Sequence, residues 1–305
     1  MLKIVFMGTP TFSVPILEAL ISKYNVIGVV TQPDKKVGRK QEVKFSPVKE
    51  CALSHNIPVF QPVKIRNEYE DIMALNPDFI VTAAYGQIVG MKLLNSPKYR
   101  SINVHASLLP KYRGGAPIHE AIKKGENKTG VTIMYMEKAM DAGDILGVKE
   151  VEITKEDNCG TMFEKLSYAG RDLLMEVIPL LIEGKITPIK QNESEATFAY
   201  NVTKEEEKID FNKTAIEVFN HIRAYNPYPV AHMDLGSDTV KLYDSIVSNE
   251  THNEVPGTIL KATKKGFLVA CGNNTVIEIL EVQPSGKRVM KASEFANGAL
   301  RKYLK

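Results

Sequence analysis

Two polar side chains interrupt an apolar stretch near residue 100, and both are of types that serve in acyl transfer. Asn103 and His105 lie in the segment SINVHASLLPKYRGGAPIHEAI, residues 101–122. Alternate residues of a strand share a face, so these two side chains point the same way. An amide donates hydrogen bonds to a developing oxyanion, and an imidazole titrates near neutral pH. Asp141, in the segment MDAGDIL, is a carboxylate suited to orient the imidazole or to relay its protons.

Each of these residues also has an ordinary structural interpretation when it is taken alone. A histidine in a strand commonly packs in a core with its hydrogen bonds satisfied, and Asp-Ala-Gly-Asp commonly forms a turn. Asp144 offers a second carboxylate in the same segment. The hypothesis of a catalytic site therefore rests on the combination of Asn103, His105 and Asp141.

The motifs of several other chemistries are missing from the sequence. Gly8 follows the first apolar run, but the second and third glycines of a dinucleotide-binding fingerprint are absent. No G-x-x-x-x-G-K-[ST], H-E-x-x-H or G-x-S-x-G pattern occurs either. We therefore expect no hydride transfer, no nucleotide-binding phosphate loop, no metal and no serine nucleophile.

The elements that must position these residues alternate between strands and helices through the first half of the chain. The predicted strands cover residues 3–7, 26–31, 79–84, 101–105 and 131–136, and the predicted helices cover 13–23, 47–55, 66–75, 117–124 and 161–183. Alternation of this kind predicts an α/β fold with a doubly wound, mostly parallel, Rossmann-like sheet. Asn103 and His105 then lie near the carboxyl end of a strand, where such sheets place their sites.

The second half of the chain has a different pattern. Residues 185–202 lose all periodicity, and five short strands follow, at 230–235, 240–246, 258–262, 267–270 and 275–282. We interpret them as a small OB-like β-barrel. The predicted domains are 1–188 for the catalytic part, 189–203 for a linker and 204–305 for the barrel.

Composition indicates an ordinary globular protein whose basic residues are unevenly distributed. The 305 residues are 44% hydrophobic and 25% charged, with a net charge of +3, which argues against disorder. Residues 34–50 hold six basic against three acidic side chains, and residues 284–305 hold six against one. These segments suit a polyanion, although a solvated surface explains them as well. No charge-free run reaches the roughly 18 residues of a membrane span, and no secretory signal is visible, so we expect a cytoplasmic protein.

The segments INVHASLLPKYRGGAPI and MDAGDIL together resemble the folate-dependent formyltransferases. VVTQPDKKVGR, AAYGQIV, TKEEEKIDF and RAYNPYP extend the resemblance over nearly the whole chain. It implies that 10-formyltetrahydrofolate is the formyl donor and that Asn103, His105 and Asp141 are catalytic. It further implies a folate site formed by Ser107, Leu108, Leu109, Pro110, Tyr85, Gly86, Gln87 and Ile88.

Within the family, the form of the QPDKKVGRK loop implies that the acceptor is the methionine of initiator methionyl-tRNA. The resemblance assigns the tRNA contacts to Lys35, Lys36, Arg39, Lys40, Lys287 and Arg288, with Arg39 as the main contact. The resemblance also implies a monomer, and the lack of a long apolar run predicts no association with a membrane. An amino-sugar formyltransferase of the same fold and a non-enzymatic RNA-binding protein are the alternatives, and the latter would not need the three catalytic residues.

Overall fold

The computed structural model describes residues 1–37, 41–298 and 300, which divide into two compact units. The N-terminal unit consists of Met1–Pro117, Lys128–Glu152 and Phe163–Tyr200. The C-terminal unit consists of Ile118–Asn127, Ile153–Met162 and the chain from Asn201 onward. Within the described ranges, no helix is both long enough and apolar enough to cross a membrane.

The N-terminal unit contains a seven-stranded sheet and a separate two-stranded ribbon. Its strands are β1 (Lys3–Gly8), β2 (Asn25–Val30), β3 (Lys35–Val37), β4 (Glu42–Lys44), β5 (Val59–Phe60), β6 (Phe79–Ala83), β7 (Ser101–His105), β8 (Lys128–Tyr135) and β9 (Ile145–Glu152). The sheet order is β5-β2-β1-β6-β7-β8-β9. The pairs from β5 to β7 are parallel, and β8 and β9 are antiparallel additions. The order reverses between β1 and β6, as in a doubly wound sheet, so the predicted fold class is confirmed.

Six helices accompany these strands along the chain. They are α1 (Val14–Lys23), α2 (Pro47–Ser54), α3 (Glu70–Ala74), α4 (Met91–Leu94), α5 (Pro117–Lys123) and α6 (Cys159–Ile182), and all of α5 after Pro117 belongs to the C-terminal unit. Local chemistry sets the start of α2, because the Ser46 side chain accepts a hydrogen bond from the Lys49 amide and Pro47 occupies the first turn. In α6, Gly170 allows close packing on β7, since a Cβ there would lie 2.7 Å from Val104 Cγ1. The helix thus supports the strand that carries Asn103 and His105.

The ribbon formed by β3 and β4 follows β2 directly. Lys35 pairs with Lys44 and Lys36 pairs with Val43 in an antiparallel register. At its base, Asp34 accepts from Lys49 Nζ at 2.5 Å and from Gln61 Nε2 at 2.8 Å. A fixed base therefore carries an exposed pair of lysine-rich strands.

Residues 189–200, within the predicted linker, pair with the N-terminal unit. Ile189 and Ile145 exchange two backbone hydrogen bonds, at 2.8 and 2.9 Å. Further along, the Arg113 amide donates to the Thr197 carbonyl at 2.9 Å, and the Ala199 amide donates to the Arg113 carbonyl at 2.7 Å. This segment is therefore an ordered part of the N-terminal unit.

The C-terminal unit is built on an antiparallel sheet with one main helix. Its elements are α7 (Ala215–Tyr225), β10 (His232–Leu235), β11 (Asp238–Thr251), β12 (Ile259–Ala262), β13 (Phe267–Ala270), β14 (Thr275–Pro284), β15 (Met290–Lys291) and α8 (Ala292–Asn297). A capping box between Thr214 and Glu217 begins α7. The sheet order is β10-β11-β14-β13-β12, with β15 beside β14. This half-barrel confirms the predicted small β-barrel domain in outline.

Candidate active site

The carboxyl ends of the central strands β6 and β7 lie side by side, at the edge of the sheet where its parallel strands end. β6 pairs in parallel with β7, with Thr82 opposite Asn103. On its other side β7 pairs antiparallel with β8, so that His105 lies opposite Thr132. The edge adjoins the point where the strand order reverses, which is where open α/β sheets bind their ligands.

Asn103 is held by a hydroxyl on the neighbouring strand. Thr82 Oγ1 donates to Asn103 Oδ1 at 2.6 Å. Because the carbonyl side of the amide accepts this bond, Nδ2 is the atom that can donate to a substrate. Asn103 is half-buried, so the amide is both fixed and accessible.

His105 is buried between two groups that face its two ring nitrogens. The residue is 6% exposed, and its Nε2 lies 3.0 Å from the carbonyl oxygen of Tyr112. Its Nδ1 lies 3.6 Å from Asp141 Oδ2. A carbonyl accepts only, so Nε2 carries a proton and donates. The Nδ1 edge, facing a carboxylate, is therefore the edge at which a proton can be exchanged.

Asp141 lies in the loop between β8 and β9 with a constrained backbone. Its φ is +51°, in the left-handed region, which aspartate tolerates better than most residues. Its Oδ2 accepts a hydrogen bond from the Gly114 amide at 2.8 Å. Asp144 carries the other carboxylate of this loop. Its backbone carbonyl accepts a hydrogen bond from the Tyr135 amide at 3.0 Å. The structure thus brings Asn103, His105 and Asp141 to one edge, and it is Asp141 that faces the imidazole.

The predicted folate stretch, Ser107 to Pro110, is a tight turn directly after β7. Ser107 Oγ donates to the Lys111 carbonyl at 2.7 Å, and the Leu109 amide donates to Thr132 Oγ1 at 3.2 Å. The Leu109–Pro110 peptide bond is cis. Leu108 packs over Gly130 of β8, where any Cβ would collide with Leu108 Cδ2. The turn is therefore fixed against β8.

The other predicted folate residues, Tyr85 to Ile88, follow β6. The Tyr85 side chain packs in the core beneath the sheet, and its burial raises the pKa of the phenol to about 12. Gly86 has a φ of +89°. The side-chain amide of Gln87 accepts a hydrogen bond from the backbone amide of Ile65 at 2.9 Å and donates one to the Pro62 carbonyl at 3.1 Å. Ile88, in contrast, is 68% exposed. Of these side chains, that of Ile88 is the one on the surface.

The predicted tRNA contacts fall on two surfaces and on undescribed residues. Lys35 and Lys36 are exposed on β3 of the N-terminal unit. Lys287 and Arg288 are exposed in the turn between β14 and β15 of the C-terminal unit. Arg39 and Lys40 lie outside the described residues.

Three residues that hold the site were not predicted. Thr82 could have been identified from the sequence, since it is a lone polar side chain in the apolar strand FIVTA. Tyr112 and Gly114 act through a backbone carbonyl and a backbone amide, which residue type does not reveal. Over the described ranges, no cluster of three His, Cys, Asp or Glu side chains suited to a metal ion is found.

Comparison with known proteins gives the same relationship for both halves of the chain. A sequence model of the formyl transferase family matches residues 2–178, and one of the formyl transferase C-terminal domain matches residues 201–300. Methionyl-tRNA formyltransferase of Bacillus thuringiensis subsp. konkukian (strain 97-27) is 56% identical over 301 residues, covering 98% of this chain and 96% of that protein. The methionyl-tRNA formyltransferase of Bacillus anthracis matches to the same extent, at 56% identity over 98% of this chain and 96% of its own.

Solved structures share the fold at lower sequence identity. An N-formyltransferase from Helicobacter canadensis, solved with folinic acid and dTDP-3-aminofucose, has a TM-score of 0.71 and 21% identity, covering 92% of this chain and 99% of its own. Methionyl-tRNA formyltransferase from Clostridium thermocellum has a TM-score of 0.56 and 18% identity, covering 82% of this chain and 95% of its own.

Proposed function

The chain belongs to the formyltransferase family, and from that premise we propose that it transfers the formyl group of 10-formyltetrahydrofolate to the α-amino group of methionine on initiator methionyl-tRNA. The observation that carries this function is the 56% identity to methionyl-tRNA formyltransferases over 98% of the chain. The likeness spans both units, so it includes the parts expected to contact the donor and the acceptor.

The chemistry is direct acyl transfer between two amines, without a covalent enzyme intermediate. The attacking α-amine must be neutral, and an α-amino group with a pKa of about 8 loses its proton readily. Attack on the formyl carbon creates an oxyanion, which Asn103 Nδ2 and the Nδ1–H of protonated His105 are assigned to stabilise. A preorganised donor of this kind contributes on the order of 10²-fold or more. The 2.6 Å bond from Thr82 to Asn103 supports this role, because it fixes the amide in advance.

Proton transfer is assigned to the Nδ1 edge of His105 and to Asp141. The proton leaves the attacking nitrogen and is delivered to N10 of the folate as the carbon–nitrogen bond breaks. The 3.6 Å separation between His105 Nδ1 and Asp141 Oδ2 supports this assignment. Positioned acid–base groups typically contribute about 10² to 10⁴ in rate.

The folate is assigned to the turn Ser107 to Pro110 and the loop Tyr85 to Ile88. The support is topological, because the two segments leave the carboxyl ends of adjacent parallel strands beside the reversal in strand order. Since Ser107 and Tyr85 are buried, these residues contribute mainly through the backbone shape that they impose.

The tRNA is assigned to Lys35 and Lys36 of the ribbon and to Arg39 and Lys40, with Lys287 and Arg288 adding phosphate contacts from the C-terminal unit. The exposed lysines of β3 support this assignment, because Lys35 stands opposite Lys44 in the ribbon. Like charges in that position repel, and a bound polyanion relieves the repulsion.

The remaining assignments concern organisation. We assign residues 1–188 to the catalytic domain, 189–203 to the connecting segment, of which 189–200 pair with the catalytic domain, and 204–305 to the tRNA-binding domain, a division supported by family matches at 2–178 and 201–300. The enzyme acts as a monomer, which is supported by the origin of all three catalytic residues in one chain. It acts in the cytoplasm, where aminoacyl-tRNA is used.

One assay with three acceptors tests the function. The enzyme is given 10-formyltetrahydrofolate with methionyl initiator tRNA, methionyl elongator tRNA or a nucleotide-linked amino sugar. We expect efficient formylation of the initiator and much slower formylation of the elongator. Efficient formylation of the sugar alone would replace the proposed acceptor, and no formylation of any acceptor would contradict the proposal.

A further inference from the structure

Gln191 has a buried side-chain amide, and it has no role in the reaction as described so far. Its side chain is 5% exposed. Nε2 donates to the carbonyl oxygens of Asp141 and Gly143, at 2.8 and 2.7 Å. Oε1 accepts from Nε and Nη2 of Arg113, at 3.1 and 2.8 Å. Both amide protons and the amide oxygen are therefore engaged, as expected of a polar group that specifies one arrangement.

The two segments that Gln191 joins are those that face the two nitrogens of His105. Arg113 directly follows Tyr112, whose carbonyl lies 3.0 Å from His105 Nε2. Asp141 lies 3.6 Å from His105 Nδ1. One side chain from outside the catalytic set therefore links the segments on both sides of the imidazole.

The Arg113 end of this link is firmly held. The guanidinium is 3% exposed, and it donates to both carboxylate oxygens of Glu193, at 2.9 and 2.8 Å. The same contact lowers the pKa of the Glu193 carboxyl. Gln191 and Glu193 thus bind the guanidinium from two positions on one short segment, which leaves it little freedom.

The Asp141 end needs such a link because its backbone is in a sparsely populated conformation. Asp141 has a φ of +51°, so its peptide groups are not held by regular structure. Gln191 binds its carbonyl, while Gly114 binds its carboxylate at 2.8 Å. These two bonds together set the direction in which the carboxylate faces His105.

We propose that Gln191 is a positioning residue for formyl transfer, which fixes Asp141 relative to His105 by tying the loop after β8 to the anchored Arg113. This inference rests on the proposed function of Asn103, His105 and Asp141. A misplacement of about 1 Å at a catalytic group is enough to cost roughly 10²-fold in rate. Gln191 acts on Asp141, which is assigned to proton transfer rather than to substrate binding, so its loss is expected to affect turnover rather than binding.

The test uses Gln191→Glu in the full-length enzyme. Glutamate keeps the size and the acceptor for Arg113, but it replaces the donor to the Asp141 and Gly143 carbonyls. We expect kcat to fall about 10- to 100-fold, with KM for methionyl-tRNA and for 10-formyltetrahydrofolate within about threefold of the wild type. Gln191→Met, which removes both halves of the link, gives at least the same loss. Glu195→Gln, an exposed substitution on the same segment, is the control and keeps wild-type kcat.

Two measurements separate positioning from folding. Folate-binding capacity counts the folded enzyme, so kcat is expressed per binding-competent molecule. Hydrogen exchange of the amides in residues 136–146 is expected to be faster in Gln191→Glu than in Glu195→Gln. If the methionine variant does not fold, the glutamate variant decides.

A kcat for Gln191→Glu within twofold of the control overturns the inference, as does an activity loss that matches the loss of folate-binding capacity. If the wild type formylates no acceptor, the proposed function fails. Exchange in residues 136–146 then decides only whether Gln191 holds the loop after β8, because unchanged rates overturn that link and faster rates support it, while the role in formyl transfer falls with the proposed function.

Discussion

The side chains around His105 are at least half-buried and are held by specific hydrogen bonds, whereas the lysines of the β3–β4 ribbon are exposed and stand close to one another. Asn103 is oriented by Thr82 at 2.6 Å, and Asp141 by Gly114 at 2.8 Å. On the ribbon, Lys35 lies directly opposite Lys44. The first region fixes the positions of its polar groups, and the second concentrates positive charge.

This difference follows from what each region has to do. Acceleration of a chemical step requires dipoles and proton donors that are in place before the reaction, so the catalytic groups need fixed partners. Affinity for a nucleic acid comes from phosphate neutralisation, which depends on charge and on released counterions more than on exact geometry. Substitutions in the two regions should therefore change different kinetic quantities.

The largest effect is expected from His105→Ala. This substitution removes both the donor to the oxyanion and the proton-transfer group, so kcat should fall by about 10³-fold or more. Dissociation constants for folate and for methionyl-tRNA should stay within about threefold of the wild type. Steady-state kinetics and equilibrium binding measure the two quantities, and near-normal turnover would exclude His105 from the chemistry.

A smaller loss of turnover is expected from Gly114→Ala. Gly114 has a φ of +118°, and a Cβ there would lie 2.5 Å from the Ala199 carbonyl oxygen. The displaced amide no longer holds Asp141, so kcat should fall roughly 10-fold. The strain should lower the free energy of unfolding by about 1 to 3 kcal/mol.

Gly184→Ala is the matched control for this substitution. Gly184 also has a positive φ, at +68°, but nothing lies within 4 Å of the position that a Cβ would occupy. It should lose stability while keeping kcat. Equal kcat losses in both variants would mean that the Gly114 contact to Asp141 does not matter for turnover.

Loss of charge on the ribbon should affect binding and leave the chemical step intact. For the double variant Lys35→Gln with Lys36→Gln, we expect the dissociation constant for methionyl-tRNA to rise about 10-fold. The slope of log affinity against log salt should fall by about 1 to 2, and kcat at saturating tRNA should not change.

Arg39→Ala should likewise lower kcat/KM for charged tRNA and its salt dependence. A change confined to the KM for folate would contradict the assignment of the ribbon to tRNA binding. Lys23→Gln, a substitution of an exposed lysine outside the ribbon, is the control.

The smallest effect is expected at His221, a half-buried histidine that faces no catalytic carboxylate. Burial, with Lys123 adding to it, lowers the pKa of His221 to about 4, and Nε2 lies 2.9 Å from the Glu206 carbonyl. The unfolded chain, with a pKa near 6.5, binds the proton first as the pH falls. The C-terminal unit should therefore lose about 1 to 2 kcal/mol between pH 7 and pH 5. Urea unfolding should show a weaker pH dependence for His221→Gln, and an unchanged dependence would contradict the assignment.

The sequence predicted the central strands well because burial leaves few choices of residue there. Strand β7 was predicted at 101–105 and occupies Ser101–His105. The helix predicted at 66–75 is only Glu70–Ala74. The Glu68 carboxylate binds the backbone amides of Val63 and Lys64, at 3.2 and 2.9 Å, and so closes residues 63–68 into a turn that precedes the helix.

The sequence could not reveal what depends on backbone groups or on weak patterns. The ribbon strands β3 and β4 have three residues each and no apolar alternation, so periodicity did not detect them. Asn103, His105 and Asp141 were chosen by residue type, but the Tyr112 carbonyl and the Gly114 amide that hold them carry no signature in the sequence.

The most direct test of the account is the single-turnover rate of formyl transfer in Asp141→Asn. The substitution keeps the size of the side chain and an acceptor for the Gly114 amide, and it removes the charge beside His105. With saturating 10-formyltetrahydrofolate and methionyl initiator tRNA, we predict a rate at least 10²-fold below the wild type. The dissociation constant for the tRNA should stay within about threefold. A single-turnover rate close to that of the wild type would contradict the assignment of proton transfer to His105 and Asp141.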